Sequence, residues 1–197
     1  MTRKNILASA ATGIYREKGS KFLAYAWPID SEAAIQPFLN QLKKEHAAAR
    51  HYCYAWRLGE QGERYRINDD REPSGTAGRP ILQQIDHYKL SNCLVVVIRY
   101  FGGTLLGVRG LINAYGAAAA EALGQSTRVP MPLFRSIRIH CDFHLLALVQ
   151  KLMNEWELKP VETSYSGAGV NFLFQIDEEQ VEALRNSFYA IRGIIVV

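Results

Sequence analysis

The run Leu94-Val95-Val96-Val97-Ile98 constrains the fold more than any other stretch of this chain. A strand with one wet face alternates apolar and polar residues; this one does not, so it belongs inside a sheet covered on both sides. It leads directly into Arg99-Tyr100-Phe101-Gly102-Gly103-Thr104-Leu105-Leu106-Gly107-Val108-Arg109-Gly110. Beyond these turns Leu111, Ala114, Tyr115, Ala118 and Ala122 recur at helical spacing, and the small residues at 116–120 suit a helix pressed close to a sheet. A strand, glycine-rich turns and a helix in that order present backbone N–H groups, a common way to receive an anion.

The upstream segments supply neighbours for that strand. Residues 14–27 read as a strand pair turned at Glu17-Lys18-Gly19-Ser20. Asp30 or Ser31 can cap a helix with Ile35, Phe38, Leu39 and Leu42 on one face. Pro37 would cost a helix interior about 3 kcal/mol, so that helix must begin late or bend there. Residues 50–58 form a strand with Tyr52, Tyr54 and Trp56 on one face and His51, Cys53 and Ala55 on the other, and Gly59-Glu60-Gln61-Gly62 turns it back into 63–68. The hairpin delivers the chain to residues 69–80, Asp-Asp-Arg-Glu-Pro-Ser-Gly-Thr-Ala-Gly-Arg-Pro, where no apolar side chain exceeds alanine. Two prolines and two glycines make this a shaped, charged loop. Thr76 or Gly78 then precedes a short helix with Pro80 in its first turn, running through Ile81, Leu82 and Ile85.

Pro130 and Pro132 interrupt the pattern at a point where the charge balance also changes sign. Residues 1–130 carry 17 Lys and Arg against 11 Asp and Glu, a net +6; residues 131–197 carry 6 against 8, a net −2. The sequence therefore divides into domains at 1–130 and 131–197, with the first the one suited to an anionic partner. The second reads as strand 134–143, helix 144–155, strand 159–165, strand 170–176, helix 178–189 and strand 193–197, a βαββαβ order of ferredoxin-like type with Ser166-Gly167-Ala168-Gly169 as its hairpin turn. The expected class is α+β, built from two-layer α/β sandwiches.

Several function classes are disfavoured. Thr12, Tyr15, Arg16 and Glu17 interrupt any signal-peptide run, and no segment approaches the roughly 18 apolar residues of a membrane span, so a cytoplasmic protein without a membrane partner is expected. Cys53, Cys93 and Cys141 are odd in number and widely separated, which supports neither a disulfide framework nor a cysteine zinc site; no metal and no cofactor is expected. Gly102 and Gly107 have the spacing that opens a P-loop, but Val108-Arg109 stands where Lys-Ser/Thr is required, and the segment has no G-x-G-x-x-G.

Three candidate sites remain, each with a plain structural alternative. Arg50, Arg71, Arg79, Arg99, Tyr100, Gly102, Gly103, Gly107 and Arg109 can form an anion or nucleic-acid site, or the glycines can serve close backbone packing. Asp69, Asp70 and Glu72, with His51 as a base, can do acid–base or metal chemistry, or pair with Arg71 and Arg79. Tyr52, Trp56, Tyr100 and Phe101 beside Arg50, Arg57, Arg99 and Arg109 suit a base-stacking surface, or a core edged by arginines.

Arg50-His51 with Cys53 and Ala55, the 69–82 segment with Asp69-Asp70-x-Glu72-Pro73-Ser74-Gly75-Thr76-Ala77-Gly78-Arg79-Pro80, and Val97-x-Arg99-Tyr100-Phe101-Gly102-Gly103 followed by Leu106-Gly107 and Gly110-Leu111-x-x-Ala114-Tyr115 together resemble the IMPACT family, "imprinted and ancient", in its bacterial two-domain YigZ-like form. The resemblance covers about residues 14–125, and the tail agrees with the second domain of those members. It implies a first domain with a fold shared by a small-subunit ribosomal protein and domain IV of elongation factor G, and a second similar to domain V of that factor. Eukaryotic members restrain a kinase of a translation initiation factor through contacts that involve a further N-terminal domain, and that activity is not carried over to this sequence. The resemblance implies no enzymatic reaction. Arg71 and Arg109 stand where the family pattern has glycine, so each adds positive charge and, if its φ is positive, strain. The expected function is non-enzymatic binding of RNA or a ribosome-associated protein that bears on translation or stress regulation. The alternatives are an enzyme acting on a phosphate ester or nucleotide through Asp69, Asp70 and Glu72, and a protein-interaction module docking on the second domain's sheet; the oligomeric state is left open.

Overall fold

The apolar run at 94–98 is the middle strand of a five-stranded antiparallel sheet in the computed structural model, which describes residues 3–196. In chain order this part contains β1 (Asn5–Leu7), β2 (Ala11–Glu17), β3 (Ser20–Pro28), α1 (Ile35–Glu45), β4 (His51–Leu58), β5 (Arg64–Asn68), α2 (Gly78–His87), β6 (Cys93–Tyr100), α3 (Gly107–Gly124) and β7 (Arg128–Pro130). The sheet order is β2-β3-β6-β4-β5, and β1 pairs separately with β7. Residues 93–99 of β6 are all buried, as an unbroken apolar run requires.

Alternation along β6 assigns its two faces. Cys93, Val95 and Val97 pack with Phe22, Ala55, Ile85 and Ala118 beneath α2 and α3. Leu94, Val96 and Ile98 pack with Leu39, Leu42, Tyr52 and Trp56 beneath α1. The helical layer expected on the sheet is thus α2 with α3, and α1 covers the opposite face. The faces predicted for β4 are those observed, with Tyr52 and Trp56 in one core and Cys53 and Ala55 in the other.

The proline conflict at Pro37 is settled by a late start. A 3₁₀ turn at Glu32–Ala34 precedes α1, which puts Pro37 in its first turn, where a missing N–H breaks no helical bond. The close helix–sheet approach uses the expected alanines, Ala118 and Ala119, which are buried in the core with Phe22 and Val97, but not Gly116. Gly116 faces α2 at ordinary distance, a Cβ there lying 3.8 Å from Pro80. The tight contact is at Gly13 of β2, where a Cβ would sit 2.3 Å from the Ala122 amide nitrogen of α3.

The chain divides into two compact units between Met131 and Pro132. The second contains β8 (Phe134–Asp142), α4 (Leu146–Glu155), β9 (Glu162–Tyr165), β10 (Gly169–Asp177), α5 (Val181–Tyr189) and β11 (Ile195–Val196), in the sheet order β11-β8-β10-β9. The βαββαβ order read from the sequence is present. Both helices start later than their spacing suggests because a 3₁₀ turn precedes each, at Phe143–Leu145 and Glu178–Gln180. Ser166 and Gly169 exchange backbone hydrogen bonds across the predicted hairpin turn. The last expected strand, 193–197, is observed at Ile195–Val196; its final residue, Val197, lies outside the described residues.

Gly13→Ala forces either β2 or α3 to move. It should destabilise the protein by on the order of 2 kcal/mol, read as a lower urea midpoint, whereas Gly116→Ala should be neutral or stabilising.

Candidate functional site

Strand register brings three distant residues into one row. Arg99 of β6 lies opposite His51 of β4 on one side and Phe22 of β3 on the other, so all three face α2 and α3. Arg99 is only 6% exposed, and its Nη1 donates to Glu72 Oε1 at 2.8 Å. The Tyr115 hydroxyl of α3 donates to the same oxygen at 2.8 Å, and His51 Nε2 lies 4.0 Å from it. His51 Nδ1 is 2.9 Å from the Asp70 carbonyl oxygen, an acceptor, which places a proton on Nδ1. Cys53 Sγ donates to the Asp69 carbonyl at 3.0 Å. Burial pushes both the Cys53 thiol and the Tyr115 hydroxyl up from their ordinary values, so both are neutral at physiological pH.

The three carboxylates considered for acid–base or metal chemistry point to three different places. Asp69 caps α2: Oδ1 accepts from the Ala77 and Gly78 amides at 3.0 and 2.8 Å, and Oδ2 from Gly75 at 2.9 Å. These are N–H groups a helix start leaves without partners. Asp70 Oδ2 accepts from the Tyr52 amide at 2.7 Å. Glu72 is buried against Arg99. Among the described residues no three His, Cys, Asp or Glu side chains are grouped to hold a metal ion. The three carboxylates take structural partners instead: backbone amides for Asp69 and Asp70, Arg71 at 3.5 Å from Asp70 as the ion-pair alternative expects, and Arg99, not Arg79, for Glu72.

Of the proposed anion-binding residues, some gather at one end of the sheet and others do not. Arg50, Arg71 and Arg109 are exposed, and the Arg71 guanidinium donates to the Arg50 backbone carbonyl, which holds the Arg71 side chain beside the start of β4. The Lys18–Gly19 turn abuts the same end: a Cβ on Gly102 would fall 1.9 Å from the Gly19 carbonyl carbon, and the Gly102 amide donates to Ser20 Oγ at 3.1 Å. Gly102 therefore serves backbone packing, while Gly103 and Gly107 are exposed, with open space around them and φ of +86° and +69°. Among the described residues no side chain caps α3, whose first turn carries Arg109.

Arg99 departs from the expectation of a surface phosphate contact, because its charge is spent on Glu72 inside the fold. Tyr100 lies on the other face, its hydroxyl 3.0 Å from His46 Nδ1, while His46 Nε2 is 2.8 Å from the Tyr25 hydroxyl. Arg79 lines a separate cavity with Arg57, Tyr65 and Asp86. Tyr115, which completes the buried cluster, was legible only as a core residue, since helical spacing reveals burial and not a hydroxyl's partner.

The Impact N-terminal domain pattern matches residues 18–123, more than half of the chain and all of the loop and strand just described. This chain belongs to the IMPACT family. IMPACT family member YvyE of Bacillus subtilis is 35% identical over 83% of this chain and 75% of its own length. IMPACT family member YigZ of Escherichia coli is 33% identical over 81% of this chain and 79% of its own. A crystal structure described as that of a hypothetical protein is 29% identical, with a TM-score of 0.81, and covers 100% of this chain and 97% of the other. Arg71 and Arg109 differ in backbone conformation. Arg71 has φ of +71°, the left-handed region where a side chain is strained, whereas Arg109 lies inside α3.

Truncating Glu72 to Ala strands a buried guanidinium. The variant should lose about 3–5 kcal/mol in denaturant unfolding, and the double replacement of Glu72 and Arg99 by Met should recover most of it. Burial also pushes the Cys93 thiol up to about 12, so the folded state keeps this proton where the unfolded state loses it near pH 9. Its contribution is full below pH 9 and is lost as pH rises towards 12. The urea midpoint should fall over that window, and less steeply in Cys93→Ala.

Proposed function

We propose that this IMPACT-family protein is a non-enzymatic, cytoplasmic RNA-binding protein acting on the translation machinery, with the cationic end of its first sheet as the contact surface. One observation carries the reading: positive charge at that end faces outward while negative charge is drawn inward. Lys18, Arg50, Arg71 and Arg109 are exposed. Glu72 is buried, and Asp69 turns its oxygens to backbone amides. Asp70 lies 3.5 Å from Arg71 and offsets part of one charge, leaving the others free to meet phosphate. The mounting of Arg71 matters because a guanidinium already held by a backbone carbonyl loses less freedom on binding. The acidic balance of residues 131–197 fits a division in which only the first unit meets the polyanion. The IMPACT resemblance directs the proposal to translation and to ribosome-associated RNA.

Fluorescence anisotropy with a labelled single-stranded RNA oligonucleotide tests this. Affinity should fall steeply with salt, and replacing Arg50, Arg71 and Arg109 together by Ala should weaken binding at least tenfold and reduce the logarithmic salt slope by about 2, from roughly 0.7 per lost contact. Arg71→Gly alone should weaken binding while relieving the +71° backbone strain, so its stability should be unchanged or higher. Salt-independent binding, or a triple variant that binds like the parent, counts against the proposal.

A further inference from the structure

The cationic end carries a second feature that phosphate binding does not explain. Phe101 is 54% exposed, Leu105 85% and Val108 58%, three large apolar side chains along the glycine turns after β6 and the first turn of α3. An exposed apolar cluster inside a charged surface is costly in water and marks a contact. Its placement is set from below: the buried Arg99 guanidinium lies 5.5 Å from the Phe101 ring centroid and 5.6 Å from that of Phe22. Arg99 is in turn held by Glu72, and Gly102 is locked against the Gly19–Ser20 backbone. One side of the Phe101 ring is therefore supported by a fixed cation while the residue remains half open to solvent. The other aromatic side chains once considered for stacking are not available: Tyr52 and Trp56 are buried, and Tyr100 bonds His46 on the opposite face.

We propose that residues 101–108, the turns after β6 and the first turn of α3, bind the unpaired bases of a single-stranded RNA, with Phe101 stacking on a base and Leu105 and Val108 covering its edges. The proposal rests on the RNA reading above and names the part of RNA that this loop contacts. Charge complementarity identifies the occupant. The apolar loop adjoins the exposed cations Lys18, Arg50, Arg71 and Arg109, so what reaches it must be polyanionic and also present flat apolar faces. A single strand has both, whereas a duplex hides its bases. Arg99 is a positioning residue here and does not touch the RNA.

The test compares four probes on the full chain: a single-stranded RNA oligonucleotide, the same strand with abasic sites, its duplex, and no RNA. Phe101→Ala should weaken single-strand binding roughly tenfold, with the salt slope unchanged, and Phe101→Tyr should restore it. Leu105→Ala should weaken it by a smaller factor. The abasic strand and the duplex should bind the parent about as weakly as the intact strand binds Phe101→Ala, an arm that needs no variant to fold. If the single strand binds with a steep salt slope but abasic sites or Phe101→Ala change nothing, the base-contact inference fails while the phosphate reading stands. If no RNA binds at all, both fall. Self-association without RNA that disappears in Phe101→Ala overturns the inference in favour of a second copy of the chain.

Discussion

The Glu72–Arg99 ion pair is the interaction on which the arrangement of the first unit depends. Two charges taken out of water cost several kcal/mol each unless their remaining hydrogen-bonding capacity is met, and here Tyr115 supplies a further donor to the carboxylate. The pair joins three segments far apart in sequence: the 69–77 loop, the end of β6 and the middle of α3. No apolar contact would fix them as specifically, because a guanidinium and a carboxylate meet only in a narrow range of distances and angles. The loop has no apolar side chain larger than alanine to anchor it, so the ion pair and the caps made by Asp69 take the place of a core.

What the pair leaves outside follows from what it draws in. With Glu72 inside and Asp69 turned to the start of α2, the sheet end presents exposed arginines with little opposing charge. Arg99 supports the exposed ring of Phe101 from beneath while being too buried to meet a ligand itself. The family pattern thus mixes two kinds of residue in one short motif, those that build the platform and those displayed on it. Asp69, Asp70, Glu72 and Arg99 are of the first kind, and this explains why an acidic loop that resembles a catalytic one contains no pair of carboxylates facing a common point.

Some of the strained and tight positions lie at the same end, while others, Lys89, Asn92 and Gly13 among them, lie elsewhere. Lys18, Asp70 and Arg71 all have positive φ, and Gly102 approaches the Gly19 backbone closer than any Cβ would allow. Such positions persist where the surrounding hydrogen bonds over-determine them, as the Asn68, Tyr52 and Arg50 contacts do around Asp70 and Arg71. Arg71, with φ of +71°, puts a cation in the left-handed region where a side chain is strained.

Elements defined by local periodicity or by backbone chemistry were legible without a structure. The unbroken apolar run required a central strand; Pro37 required a helix that starts late; the second unit's order of strands and helices followed from its alternating spacings and its glycine turn. The family itself was legible from the residues of two loops. What local pattern could not supply was the partner of each charge. Whether Arg99 meets solvent or Glu72, and whether Asp69 binds a cation or caps a helix, depends on strand register and on which helix covers which face, and those are set by contacts between residues dozens of positions apart. The amino-acid order by itself determined the longer elements, because helix and strand periods are properties of neighbouring residues; β1 and the proline-flanked β7 exist only because they pair with each other from opposite ends of the unit. Only the tertiary structure decided which charges are buried and which displayed, because desolvation and Coulomb energy depend on distance in space.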